Sequence, residues 1–220
     1  MLRIATTSID LYNRFLCDEE FPEEVFISQL TKKTPATKYM QLGSAFHEIL
    51  EDPWGAYNRH AKLTSHEGNF MSKEGIVFPD DVIRPCFDFI DYDHPFEIKL
   101  TKNYAVISEF NPSGFEPVEV VAKVDQGKGN FVIEHKSCWT QFKYDKYADS
   151  LQWKFYLDIF QAQRCIYKVF ELSDLAGGIK FRQFHSFHFD WHEGIPKELE
   201  TILESFIKFI YTKNLQEFFS

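Results

Sequence analysis

A chain of 220 residues with 44% hydrophobic side chains, 24 Phe among them, is long enough to bury a substantial core in one domain spanning 1–220. It holds no long apolar run and no basic-apolar-small pattern at its start, so neither a membrane span nor a signal peptide is expected, and the expected compartment is cytoplasmic. A formal net charge of −9 argues against holding a polyanion by long-range attraction, and the scattered Cys17, Cys86, Cys138 and Cys165 lack a zinc-ribbon spacing and give no reason for disulfides.

The first segment with readable chemistry is 41–50, where Met40, Phe46, Ile49 and Leu50 predict one buried side of a helix. Gly43 lies one turn before His47, and the small residues Gly43, Ser44 and Ala45 let such a helix approach a sheet or a phosphate closely. Neutral imidazole suits a divalent metal, Mn²⁺ especially, while the plain alternative for His47 is a helix histidine hydrogen-bonded at a core edge. Residues 52–118 mix short apolar runs with turn residues, among them Pro53, Gly55, Gly68, Gly75, Pro79, Pro85 and Pro95. A helix over 79–90 and strands over 96–100 and 104–110 are expected, the latter extending the sheet that follows.

From Val120 the chain reads Val-Val-Ala-Lys-Val-Asp125, Gln-Gly-Lys-Gly-Asn, Phe-Val-Ile-Glu134-His-Lys136, two β-branched runs around a Gly-rich connection, which predicts a hairpin. With a loop over 127–130, Gln126 pairs with Phe131 and Asp125 with Val132. Alternation then places Asp125, Glu134 and Lys136 on one face and Val124, Ile133 and His135 on the other; an odd loop length breaks the match. Two carboxylates and a lysine together suit Mg²⁺, which takes one or two carboxylates plus phosphate oxygens, with the lysine positioning a water or steadying the phosphate. The plain reading is a surface strand whose Glu134–Lys136 ion pair contributes less than about 1 kcal/mol.

Downstream, Leu151, Phe155, Ile159, Ala162, Ile166 and Phe170 recur at helical spacing and predict one long amphipathic helix, with Gln152 and Tyr156 one turn apart on another side. That pair either bridges a carboxylate and a nucleic-acid strand or consists of ordinary boundary residues. Lys136, Lys143, Lys146 and Lys154 are interleaved with Trp139, Tyr144, Tyr147 and Trp153, either a track for a strand or a solvated linker with its aromatics packed inward. Gly177-Gly178 reads as a turn, 178–191 as a strand, and 197–219 as a helix covering the sheet. His185 and His188, three apart in a strand, face opposite sides, so solvent-facing histidines are expected there, as for His192, rather than a zinc site.

Taken in order over 40–160, Gly43-x-x-x-His47, Asp125, Glu134-x-Lys136 and Gln152-x-x-x-Tyr156 resemble the PD-(D/E)XK nuclease superfamily, in the branch of RecB-like nuclease domains and RecE-type exonucleases. The stretch 42–57 with Pro53 and Tyr57, the aromatic linker 139–147, and the early residues Ser8, Tyr12 and Cys17 are similar to segments of that branch. The resemblance implies an α/β, restriction-endonuclease-like core: a central mixed β-sheet, led by the hairpin and flanked by α-helices. It implies Mg²⁺ or Mn²⁺ held by His47, Asp125 and Glu134 with the backbone carbonyl of His135. Lys136 would orient or activate water, and Gln152 and Tyr156 would shape the site and the DNA path. Glu48 or Glu51 would support or replace His47, Lys123 would add a cation if it shares the face of Asp125, and Ser137 stands where a threonine is common.

Some relatives hold an iron–sulfur cluster through grouped cysteines that this chain lacks, so no iron–sulfur cluster is expected. The implied function is a metal-dependent deoxyribonuclease, an exonuclease acting on DNA ends in phage- or prophage-type recombination or repair. Its implied partners are DNA, a single-strand annealing protein and further copies of the chain in a ring. A structure-specific or restriction-like endonuclease and a catalytically silent DNA- or protein-binding module on the same fold are the alternatives.

Overall fold

Alternating β-branched residues in the middle of the chain build the sheet on which the other elements lie. The computed structural model describes residues 1–64, 68–175 and 178–219. The first half comprises β1 (Leu2–Ala5), α1 (Thr6–Cys17), α2 (Glu23–Leu30), α3 (Lys38–Glu51), α4 (Pro53–Thr64), β2 (Asn69–Met71), β3 (Val77–Pro79) and α5 (Asp80–Phe87). Then come β4 (Phe96–Ile107), β5 (Phe115–Lys128), β6 (Phe131–Cys138), α6 (Asp145–Ala148), α7 (Gln152–Phe160), β7 (Arg164–Leu175), β8 (Gly178–Asp190) and α8 (Ile195–Thr212). Among the described residues no helix is long and apolar enough to cross a membrane.

β5 is the hub. One edge carries β4, antiparallel from Ile107↔Phe115 to Phe96↔Gln126. The other edge is divided: β1 runs parallel along Val118–Val121, whereas β6 pairs only at Gln126↔Ile133, Gly127↔Val132 and Lys128↔Phe131. β6 then leaves β5 and runs parallel to β7, and β8 continues the sheet antiparallel to β7. An opening remains where β5 and β6 part.

Both faces are covered. On one, Ile9 and Tyr12 of α1, Phe26 of α2, Phe155 of α7 and Leu203 and Phe206 of α8 pack on Val120, Val124, Val132 and Val169. On the other, Phe46 and Ile49 of α3, Ala56 of α4 and Val82 and Ile83 of α5 pack on Phe170 and Leu172. Fully burying a side chain of this size contributes about 1.5–3 kcal/mol, so both layers are fixed to the sheet. Thr37, whose hydroxyl accepts from the Met40 amide, starts α3, the helix that carries His47.

Several expectations change. The hairpin loop is Gly129–Asn130, with Gly129 at a positive φ of 57°, so the register moves by two from the expected pairing. The expected strands over 96–100 and 104–110 are one strand, because β5 offers an unbroken partner. The helix expected over 151–170 stops at Phe160: Gln161 turns left-handed (φ 52°), and Cys165, Tyr167 and Val169 bury alternately in β7. Ile166 and Phe170, four apart and in line with Ala162, also fit a helix, but the parallel ladder with β6 decides for strand. Met40, expected in the core, is 62% exposed. The C-terminal helix ends at Thr212, followed by a 3₁₀ turn over Gln216–Phe219. Of the expected Gly177-Gly178 turn, Gly177 lies outside the described residues, while Gly178 opens β8 at φ 92°.

Candidate active site

The opening between β5 and β6 coincides with a break in alternation. Ile98 and Val124 are opposite one another and pack toward α7, whereas Phe96, opposite Gln126, packs toward α3 and α5. Between Phe96 and Ile98, Glu97 takes φ 56°, a conformation costing a non-glycine residue about 1–3 kcal/mol. Asp125 lies at this break. Its Oδ2 accepts from the backbone N–H of His135 at 2.6 Å, a side chain supplying a partner where the β5–β6 ladder has ended.

The expected common face for Asp125, Glu134 and Lys136 is therefore corrected. Glu134 and Lys136 face α7: the Tyr156 hydroxyl donates to Glu134 Oε1 at 3.3 Å, and Lys136 Nζ lies 2.6 Å from that oxygen and 3.4 Å from Gln152 Oε1. Asp125 meets α3 instead, with His47 Nδ1 3.8 Å from its Oδ1. Val124 and His135, expected together, lie on opposite sides, because the His135 ring sits near Phe96 and Phe170 in the other layer. The site spans the gap between strands rather than one sheet face.

Burial dominates its electrostatics. Glu134 is pushed up to about 7 by burial and by the charge of Asp125, against the pull of Lys136. Burial pushes Lys136 down, but the carboxylates of Glu134 and Asp125 outweigh it and hold the ammonium above its ordinary value. Burial raises Asp125 too, yet its close polar contact with His47, with help from His135 and Lys136, brings it down to about 2. Burial lowers His135 to about 4, leaving it neutral, and raises Tyr156 well above an ordinary phenol.

One atom bears on whether a cation fits here. Glu134 Oε2 is buried and has no hydrogen-bond partner, an arrangement that costs about 1–3 kcal/mol if nothing occupies that direction. With one carboxylate oxygen free, a second carboxylate at the same opening and an imidazole beside it, the donor set suits a hard divalent ion. Among the described residues, however, no three His, Cys, Asp or Glu donors stand at metal-holding spacing, so the expected ligands gather around the gap without closing on one point.

Other expected contributors lie elsewhere. Glu48 accepts from Arg59 and the Lys73 amide and is turned from the gap, whereas Glu51 feels Asp125 and His47. Lys123 pairs with Glu97. Of the aromatic and basic segment, Tyr147 and Trp153 pack inward, Trp153 stacking on Phe189, and Lys154 pairs with Glu198, whereas Lys143, Tyr144 and Lys146 are exposed. His185, expected to face solvent, pairs with Glu171 at 3.0 Å and stacks on Phe142.

One support of the site has no forerunner in the sequence reading. Asp10 Oδ1 accepts from Ser150 Oγ and the Leu151 amide, both at 2.8 Å, anchoring the start of α7 that carries Gln152 and Tyr156. Ser150 just ahead of a helix was the available signal; Asp10, 140 residues away, had none. Gly43, expected to let its helix approach a sheet closely, does so on α3, since a Cβ there would lie 3.0 Å from Ser137 Oγ on β6.

No family model matches this chain, and no curated protein does. Solved structures do. A proposed exonuclease of Eubacterium rectale superposes with a TM-score of 0.50 at 9% identity, covering 95% of this chain and 80% of that one. The alkaline exonuclease LHK-Exo of Laribacter hongkongensis matches at TM-score 0.44 and 13% identity, covering 96% and 89%. The central mixed sheet between helical layers is a restriction-endonuclease-like α/β core.

Proposed function

We propose that this protein is a Mg²⁺- or Mn²⁺-dependent deoxyribonuclease of the PD-(D/E)XK superfamily, in its RecB-like or RecE-type branch, that removes nucleotides from DNA ends. The observation carrying this reading is the buried Glu134 carboxylate, one oxygen engaged by Lys136 and Tyr156 and the other free, at the opening where Asp125 meets His47.

His47, Asp125 and Glu134, with the main-chain carbonyl of His135, would hold the ion, which supplies charge stabilisation at the phosphate and a more acidic water. Asp125, kept ionised by His47, remains an anionic donor at neutral pH. Lys136 stays an ammonium, fixed by Glu134 and Gln152, and positions water or steadies a phosphate oxygen. Tyr156 and Gln152 hold Glu134 and Lys136 in place and border the path of the strand. Resection of an end would leave a single strand for an annealing partner, and a ring of copies enclosing the duplex would offset the net charge of −9.

The test is linear against closed circular duplex DNA with Mg²⁺ or Mn²⁺, with and without EDTA. Loss of nucleotides from linear ends alone, abolished by EDTA, supports the reading. Nicking of the circle would replace it with an endonuclease, and binding without turnover in either metal would replace it with a silent module.

A further inference from the structure

Beside the candidate site lies a cavity of about 750 Å³ whose walls are mostly aromatic: Trp54 and Tyr57 of α4, Phe87 at the end of α5, and Tyr92. We infer that this cavity receives a nucleobase of the DNA substrate, next to the phosphate being cut; the inference rests on the nuclease reading and adds a base-binding subsite to it.

Position is the first argument. Glu51 lines the cavity and stands about one turn of α3 beyond His47, roughly 6 Å along the axis, within the reach of a nucleotide from phosphate to base. A row of rings also links the two places: Tyr57, Phe70, Phe87, Tyr92 and Phe96 follow one another at centroid distances of 5.4–6.3 Å, and Phe96 approaches His135 at 6.4 Å.

Chemistry is the second. Trp54 is 77% exposed at the first turn of α4, a large flat apolar face turned to solvent beside a concavity. Tyr92 is fixed, its hydroxyl donating to the Leu50 carbonyl at 3.1 Å. Arg84, the only guanidinium on the cavity wall among the described residues, is engaged by both oxygens of Asp80, at 2.8 and 2.6 Å, and so is not a free phosphate clamp. Glu51 on the wall repels a phosphate or an anionic lipid surface but accepts hydrogen bonds from base amino groups, while Asp52 beside it is engaged by the Gly55 amide and Arg59. An uncharged, flat, amino-bearing ring fits all three features, and base–aromatic stacking needs no fixed sequence.

The experiment uses short single-stranded oligonucleotides with 2-aminopurine at either terminus, titrated with the intact protein in EDTA and in Ca²⁺ while its fluorescence is followed. Stacking predicts saturable quenching for one terminal placement. Trp54→Ala should weaken half-saturation by roughly 5- to 150-fold, the range for losing one base–aromatic stack, and Trp54→Phe should keep most of it. Equal quenching by wild type and Trp54→Ala, no saturable quenching in either medium, or equal competition by an abasic terminus overturns the inference. Turnover of linear duplex is followed in parallel. Turnover without Trp54 dependence removes the base site alone, whereas Trp54-dependent quenching without turnover removes the nuclease reading and leaves a base-binding site.

Discussion

Lys136 Nζ lies 2.6 Å from Glu134 Oε1, two residues away on the same strand, and this contact leaves the other oxygen of that carboxylate buried and unbonded. A 29%-exposed lysine side chain against a 7%-exposed glutamate is a poor device for stability, because desolvation offsets most of the attraction. It is a good device for keeping an ammonium beside a ligand. Lys136→Ala and Lys136→Met should therefore lower kcat on linear DNA by about 10²–10⁴-fold, with cooperative unfolding retained. Wild-type turnover by Lys136→Met would take the ammonium out of the mechanism.

Glu134 and His135 give the metal-free protein opposing pH dependences. The Glu134 carboxyl is raised from 4.5 to about 7, chiefly by burial, so between those values the folded protein keeps a proton that the unfolded chain has released. That contribution makes stability fall as pH rises through the window, by on the order of 1–3 kcal/mol, whereas His135, lowered from 6.5 to about 4 by burial, makes it rise over nearly the same range. Asp125, lowered from 3.8 to about 2 against the pull of burial, acts with the opposite sign: its contribution is present above 3.8 and fades as pH drops through 2. Urea unfolding in EDTA from pH 4.5 to 8 should show stability rising more steeply with pH in Glu134→Gln than in wild type, the difference between the two profiles being the Glu134 decline. Added Mg²⁺ or Mn²⁺ should stabilise wild type more at pH 8 than at pH 6, because ligands bind deprotonated. An identical profile in both proteins would sink the assignment of the decline to Glu134.

The hairpin, the His47 helix and the start of the Gln152 helix are legible from Val120–Lys136, Phe46–Ile49 and Leu151–Phe155, where local alternation or helical spacing agrees with the final packing. The faces of the site residues are not legible, because they depend on Glu97, whose positive φ breaks the alternation and which carries no glycine or asparagine to announce it. The end of α7 is hidden for a related reason: Ile166 and Phe170 continue the helical spacing through Ala162, and only pairing with β6, a long-range fact, makes those two strand. Asp10 is invisible because a side-chain cap supplied from 140 residues away leaves no local pattern.

Asp10 offers a test of how the site is held. Its Oδ1 takes the Ser150 hydroxyl and the Leu151 amide, so Asp10→Ala should cost about 0.5–2 kcal/mol in thermal or urea unfolding, as loss of a helix cap does. Because the same turn carries Gln152, kcat should drop by up to about 100-fold, more than KM for DNA changes. Asp10→Asn keeps an acceptor and removes a charge felt by Lys136, and should recover most of the stability. If Asp10→Ala lowers stability while leaving kcat untouched, α7 does not position the reacting groups.

Gly43 separates stability from function more sharply. In α3 its replacement by Ala should gain about 0.5–1 kcal/mol of helix propensity, yet the new Cβ would meet Ser137 Oγ at 3.0 Å. That hydroxyl accepts from Trp139 Nε1 at 3.3 Å, so relief comes either from breaking this bond or from moving α3 away from β6. Movement of α3 carries His47 away from Asp125, where the spacing is 3.8 Å. Gly43→Ala should therefore melt at or above the wild-type temperature while metal affinity, read by calorimetry, weakens on the order of 10-fold. Adding Ser137→Ala removes the obstructing oxygen and should restore affinity, giving a coupling between the two positions that a double-mutant cycle detects. A double variant no better than Gly43→Ala alone would mean that the close approach of α3 to β6 does not govern the His47–Asp125 pair.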